Sequence, residues 1–275
     1  MKYVISTEKN QNMQSKIIQS IKILEAEKDI KVLLACETGS RAWGFPSPDS
    51  DYDVRLIYMH RKDWYLSLQP KKEHINLMYD DRLIDIAGWD IRKSLNLLYR
   101  SNAALLERIQ SPHTYVCNDD FRSEINRLAD NFYAPIAVMY HYLSLTKNVM
   151  EELDGAAKLN LKKLFYALRS SLVCKWVLEN SKRPPISIFE LIDGLNIPAT
   201  LKGKIYELIE LKSNVNESYQ HSQENEILAF IKDVIMESEL KANELSGAKN
   251  KSLSLNEVFI RWLNKEEQFL RREVS

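Results

Sequence analysis

The feature that most constrains this 275-residue chain is a strand, turn and strand near its start. Val32-Leu33-Leu34-Ala35-Cys36 is a continuous apolar run, as in a strand buried on both faces. It leads into Glu37-Thr38-Gly39-Ser40, ten residues intervene, and a second strand then opens at Asp51-Tyr52-Asp53-Val54-Arg55-Leu56-Ile57-Tyr58. Side chains at i and i+2 of a strand share a face, so Asp51 and Asp53 are held side by side. Two carboxylates that close repel unless a cation lies between them, and a hard divalent cation with a preference for oxygen ligands meets that need. A Gly-Ser turn adds unhindered backbone N–H groups and a hydroxyl, suited to phosphate oxygens. These parts together suit metal-assisted transfer of a phosphorus group. The connection from residue 37 to 50 carries two Gly and two Pro and reads as mostly loop.

A metal site of this kind needs a third carboxylate. Asp85 is one candidate, because it stands alone in the apolar strand Leu83-Ile84-Asp85-Ile86-Ala87, where an uncompensated charge is costly. Asp90 is the other, although its place before the helical stripe Ile91, Leu95, Leu98 also suits an N-cap. His74 to Tyr79 and Arg82 to Ala87 read as a hairpin joined through Asp80-Asp81. Ile17, Ile18, Ile21 and Leu24 mark an amphipathic helix over about 12–27. Beyond residue 130 the strand signals fade, and Leu161, Leu164, Phe165, Leu168, Leu172 and Trp176 form a long helical stripe. A further helix is expected over about 223–245. The expected fold is α+β: a catalytic segment, 1–130, with a small mixed sheet and helices, and a helical segment, 131–275, forming the opposite wall of a cleft.

At Gly39-Ser40, Asp51-Tyr52-Asp53 and the later lone strand Asp, the chain resembles the nucleotidyltransferase superfamily that includes DNA polymerase beta, kanamycin nucleotidyltransferase and the CCA-adding enzymes. The longer segments Gly39-Ser40-Arg41-Ala42-Trp43-Gly44, Asp51-Tyr52-Asp53-Val54-Arg55 and Asp85-Ile86-Ala87-Gly88-Trp89-Asp90 are similar to the predicted nucleotidyltransferases encoded beside RNA ligases in bacteria and phages. The likeness extends through Lys163, Tyr166, Arg169, Trp176 and Pro184-Pro185. The resemblance implies that Asp51, Asp53 and Asp85 bind magnesium or manganese, that Asp85 could activate the acceptor hydroxyl, and that Gly39 and Ser40 hold the β- and γ-phosphates of a nucleoside triphosphate, ATP being the expected donor. It favours an RNA end as acceptor, in RNA processing or repair. A protein or small-molecule acceptor, and a non-catalytic nucleotide sensor, are the competing readings.

Other residues remain open between two roles. Arg41 and Arg55 either contact triphosphate oxygens or pair with the aspartates. Trp43 and Trp89 either stack a base or pack the core. Lys162, Tyr166 and Arg169 recur at i, i+4 and i+7, so they share a helix face that either closes over phosphate or is simply solvated. Residues 156–183 hold seven Lys or Arg and one acid, Glu179, within a chain of 38 basic and 38 acidic residues. That balance excludes a generally basic nucleic-acid sleeve but not a local basic surface. Three widely spaced cysteines give neither a disulfide framework nor a zinc motif, and no apolar run approaches a membrane span, so a reduced, cytoplasmic protein is expected.

Overall fold

The computed structural model describes residues 7–79, 83–180, 182–248 and 254–273. The first amphipathic segment is α1 (Thr7–Lys28), with Ile17, Ile21 and Leu24 fully buried at helical spacing. It is followed by β1 (Ile30–Glu37), the short helix α2 (Gly39–Trp43), β2 (Tyr52–His60), the turn-length helix α3 (Lys62–Tyr65), β3 (His74–Tyr79) and β4 (Ile84–Asp90). Then come α4 (Ile91–Tyr99), α5 (Ala103–Gln110), β5 (Thr114–Cys117) and α6 (Asp119–Phe132). The strands form one mixed sheet in the order β3-β4-β2-β1-β5. Within it β2 and β4 run parallel, and the other neighbours are antiparallel.

Within the stretch expected to be mostly loop, residues 39–43 form one short helix while 44–50 stay irregular. Gly39 turns the chain out of β1 at φ +64°, and Gly44 closes the single turn in the left-handed region at φ 98°. A five-residue helix that begins on one glycine and ends before another is too short to show a helical period. The antiparallel pairing of β3 and β4 is present, whereas the connection expected at Asp80-Asp81 lies outside the described residues.

The rest of the chain is helical, as the stripes indicate: α7 (Pro135–Leu153), α8 (Leu161–Glu179), α9 (Ile188–Gly194), α10 (Ala199–Ser213), α11 (Asn225–Lys241) and α12 (Leu255–Glu273), with the two-residue strands β6 (Leu159–Asn160) and β7 (Gln220–His221) clipped together. The architecture is therefore α+β. Two cores cover the two faces of the sheet. Val54, Leu56, Tyr58, Ile84 and Ile86 pack on α1. Leu34, Ile57 and Met59 instead join a larger core that runs through Leu172 of α8 to Trp262 of α12. Alternation along β2 and β4 thus aims Asp53, Arg55 and Asp85 toward the helices rather than toward α1. None of the described helices is long and apolar enough to cross a membrane.

Candidate active site

The parallel register of β2 and β4 sets Asp53 directly opposite Asp85. Arg55, two residues along β2, lies between their side chains, and its Nη2 donates to Asp53 Oδ1 at 2.6 Å and to Asp85 Oδ2 at 2.8 Å. Its Nη1 donates to the Asp85 carbonyl at 3.0 Å. Arg55 therefore takes the second of its two open roles and binds the aspartates. Even so, burial, with Asp51 and Asp85 adding to it against the pull of Arg55, raises the Asp53 carboxyl above its ordinary value. The cluster carries more negative charge than one guanidinium offsets. Asp51 is exposed at the mouth of β2. Among the described residues no three His, Cys, Asp or Glu side chains close around a single point.

Gly39 is pressed against this cluster. A Cβ on it would lie 2.2 Å from Asp53 Oδ2, so a side chain is excluded where the backbone meets the carboxylate. The Thr38 backbone N–H donates to the Asp53 carbonyl at 2.9 Å, tying the turn to β2. Glu37 completes the support: it accepts the Asp53 backbone N–H at 2.7 Å and the Tyr115 hydroxyl. Its burial pushes its carboxyl up to about 7, against the hydrogen bonds of Tyr115 and Asp53. The sequence marked Glu37 only by an acid abutting a buried strand.

Ser40 and the following loop are stitched to residues of the helical part of the chain. The Ser40 hydroxyl donates to Ser50 Oγ at 3.3 Å, and Ser50 Oγ donates to Glu217 Oε1 at 2.9 Å. Lys162 Nζ reaches the other Glu217 oxygen at 2.6 Å, and the buried Lys212 donates to Ser47 Oγ at 2.8 Å. Lys212 occupies the apolar stripe of Leu201, Ile205 and Leu208, a cation in a core position that could have drawn notice. Glu217, in a loop, carried no such signal. Tyr166 stands in the same field: burial raises its phenol, while Lys162 lowers it and Asp53 and Asp51 raise it. Lys162 and Tyr166 of α8 thus lie within electrostatic reach of the carboxylates.

Other expected site residues lie elsewhere. Arg41 is spent on the loop, donating to the carbonyls of Asp51 at 2.8 Å and Ser50 at 2.6 Å and covering the Tyr52 ring. Lys163 points away to the exposed pair with Glu152 at 2.6 Å. Arg169 is buried, pairs with Glu107 at 2.7 Å and bonds the Ile186 carbonyl. One hundred degrees per residue puts Lys163 off the face of Lys162 and Tyr166, whereas Arg169 shares that face but lies two turns along α8 from Lys162, where the face is covered and Glu107 pairs with it. Trp43 packs between Arg169 and Tyr166, and Trp89 lies under Arg108, both half-buried against the core. Of the two third-carboxylate candidates, Asp85 is the one beside Asp53. Asp90 is fully buried and caps α4 through the Arg92 backbone N–H at 2.8 Å.

Comparison with known proteins places this geometry in context. The chain is 35% identical over 250 residues to the uncharacterised protein YcgL of Bacillus subtilis strain 168, covering 90% of this chain and 95% of that one. A crystal structure of a nucleotidyltransferase-like protein from Exiguobacterium sibiricum 255-15 superposes with a TM-score of 0.30 at 11% identity, over 83% of this chain and 77% of that one. Residues 13–261 match the model of the RNA repair pathway DNA polymerase beta family. With nearly its whole length matched, the chain belongs to that family.

Proposed function

We propose that this chain is a metal-dependent nucleotidyltransferase that moves a nucleoside monophosphate from a nucleoside triphosphate, ATP by preference, to an RNA end, releasing pyrophosphate. The observation that carries the reading is the juxtaposition of Asp53 and Asp85 across parallel strands, with the side-chain-free Gly39 against Asp53. The donor chemistry suits a hard divalent cation although the side chains do not converge on one point: Asp53 and Asp85 stand opposite one another with Asp51 at the mouth of β2, and burial, with Asp51 and Asp85 adding to it, raises the Asp53 carboxyl above its ordinary value. Asp51, Asp53 and Asp85 would hold magnesium or manganese, whose charge would stabilise the triphosphate and the entering and leaving oxygens.

The chain's own residues then have separable tasks. Gly39 and Ser40 offer backbone N–H groups and a hydroxyl to the β- and γ-phosphates. Lys162 and Tyr166, within electrostatic reach of Asp51 and Asp53, supply a cation and a hydroxyl donor to the same oxygens. Asp85 accepts the proton of the acceptor hydroxyl as that oxygen attacks the α-phosphorus. Arg55 bridges Asp53 and Asp85 and offsets part of their charge.

Incubation with radiolabelled nucleoside triphosphates, magnesium and a panel of RNA, protein and small-molecule acceptors tests the reading. Transfer of label to RNA, abolished in Asp51→Ala/Asp53→Ala, is expected. No transfer to any acceptor, with no magnesium-dependent triphosphate binding, would sink it.

A further inference from the structure

The edge strand of the sheet offers a surface that the proposed transfer does not yet use. In the β3/β4 register Met78 lies opposite Asp85, Asn76 opposite Ala87 and His74 opposite Trp89. Cross-strand partners share a face, so Met78, Asn76 and His74 continue the face that carries Asp85. All three are exposed, Met78 by 62%, while Ile75, Leu77 and Tyr79 of the same strand pack on the α1 side. An open lane therefore runs along β3 from beside Asp85.

At its far end the lane enters a groove of about 700 Å³ lined by Lys71, Lys72, His74, Arg92, Lys93 and Arg100. The acid in that lining, Glu73, is taken by Arg92 at 2.6 Å. Among the described residues Lys71, Lys72, Lys93 and Arg100 make no ion pair. Lys93 lies 5.8 Å over the Trp89 ring and Lys71 5.5 Å over the Trp64 ring, so aromatic faces interleave with the cations. Four unpaired cations in one groove of a chain with zero net charge form a local concentration that a polyanion complements.

We propose that the lane along β3 and this groove hold the single-stranded RNA acceptor, its reacting end at Asp85 and its upstream phosphates in the groove. The inference rests on the transferase reading for the direction of the strand, not for the binding itself. Asp85 and Trp89 are four residues apart on β4, about 13 Å at roughly 3.3 Å per residue. A stacked strand rising about 3.4 Å per nucleotide covers that distance in about four nucleotides. The groove then meets phosphates from about the fourth nucleotide onward. Contacts of this kind are made to phosphate, so binding tolerates any base sequence and weakens with salt. Lys71, Lys72 and Arg100 are exposed, so replacing them leaves the core intact.

The test is fluorescence anisotropy of a labelled 12-nucleotide single-stranded RNA with the full-length chain, across a range of salt. Lys71→Glu/Lys72→Glu/Arg100→Glu, with a melting temperature checked against the parent, should weaken binding at least tenfold. It should also flatten the slope of log Kd against log salt by about 2, three phosphate contacts at roughly 0.7 each. The milder Lys71→Gln/Lys72→Gln should fall between. Asp51→Ala/Asp53→Ala should still bind the RNA, which separates the groove from the chemistry. Groove-dependent binding without any transfer would sink the transferase reading and leave the groove standing. Transfer to RNA with binding and salt slope unchanged in the charge-reversed variant would overturn the groove and leave the transferase standing.

Discussion

Gly39 and Arg55 decide the geometry of the carboxylate cluster one atom at a time. Gly39→Ala places a Cβ within 2.2 Å of Asp53 Oδ2 and forces an alanine to φ +64°, a combination expected to cost about 2 kcal/mol. Transfer should fall at least a hundredfold, with magnesium-dependent triphosphate binding reduced in parallel; calorimetry and the label assay read the two. Arg55→Ala removes a guanidinium bonded to two largely buried carboxylates. A loss of about 2 kcal/mol is expected, seen as a melting temperature about 5 °C lower. The distinctive readout is recovery: added magnesium should raise the melting temperature of Arg55→Ala more than that of the parent, because the cation replaces the lost charge. His60 gives the pH dependence. It is stacked on Trp64 with ring centroids 3.9 Å apart, and burial, with Lys71 adding to it, lowers its pKa to about 4. The unfolded chain, with an ordinary imidazole near 6.5, binds more protons between those values. Stability contributed by neutral His60 is therefore complete above pH 6.5 and drains away as pH falls toward 4. Melting curves of His60→Gln should be flatter than the parent's across that window.

At the scale of elements, Asp90 joins β4 to α4. Its Oδ1 accepts the Arg92 backbone N–H and its Oδ2 the Tyr65 hydroxyl at 2.6 Å, while burial pushes its carboxyl up to about 6. Asp90→Asn keeps a capping oxygen and should melt close to the parent at pH 3.8 and below, where Asp90 is neutral, and above it at pH 6 and higher, where only the parent carries the buried charge. Asp90→Ala loses the cap and the Tyr65 bond and should cost about 2 kcal/mol. The cap itself was legible, since Asp before an apolar stripe is a local signal. So were α1, β1, β2 and α8, each long enough to show its period. The helix α2 was not legible, because one turn bounded by glycines has no period to read. Lys163 and Arg169 show two different limits: 3.6 residues per turn takes Lys163 to another face of α8, while Arg169 stays on the face of Lys162 and Tyr166 and is lost to burial, which the period does not report. Lys163 ends on Glu152 and Arg169 on Glu107, leaving Lys162 and Tyr166 within electrostatic reach of the aspartates.

For the molecule as a whole, the larger core ties the sheet to the helices. It holds Leu34 and Ile57 together with Leu172 and Ile231, and α12 comes back to the first 130 residues, where Trp262 packs on Phe121 and donates to Glu124 at 2.9 Å. A fragment ending at residue 130 would expose the sheet face that Ile57 and Met59 share with that core. Such a fragment should lack a cooperative melt and bind a hydrophobic dye, while the full chain unfolds cooperatively; circular dichroism and dye fluorescence check this. The acids Asp51 and Asp53, the glycine that admits them, the strand that carries Asp85 and the helical second half were determined by the sequence alone, because each rests on local spacing, period or steric freedom. Which carboxylate stands beside Asp53, which cation bridges the pair, and which loop acid ties the turn to α8 were decided by strand register and packing. Arg55, Glu37, Glu217 and Lys212 gain their roles from neighbours 16 to 167 positions away in the chain, and only a folded backbone brings such residues within hydrogen-bond reach.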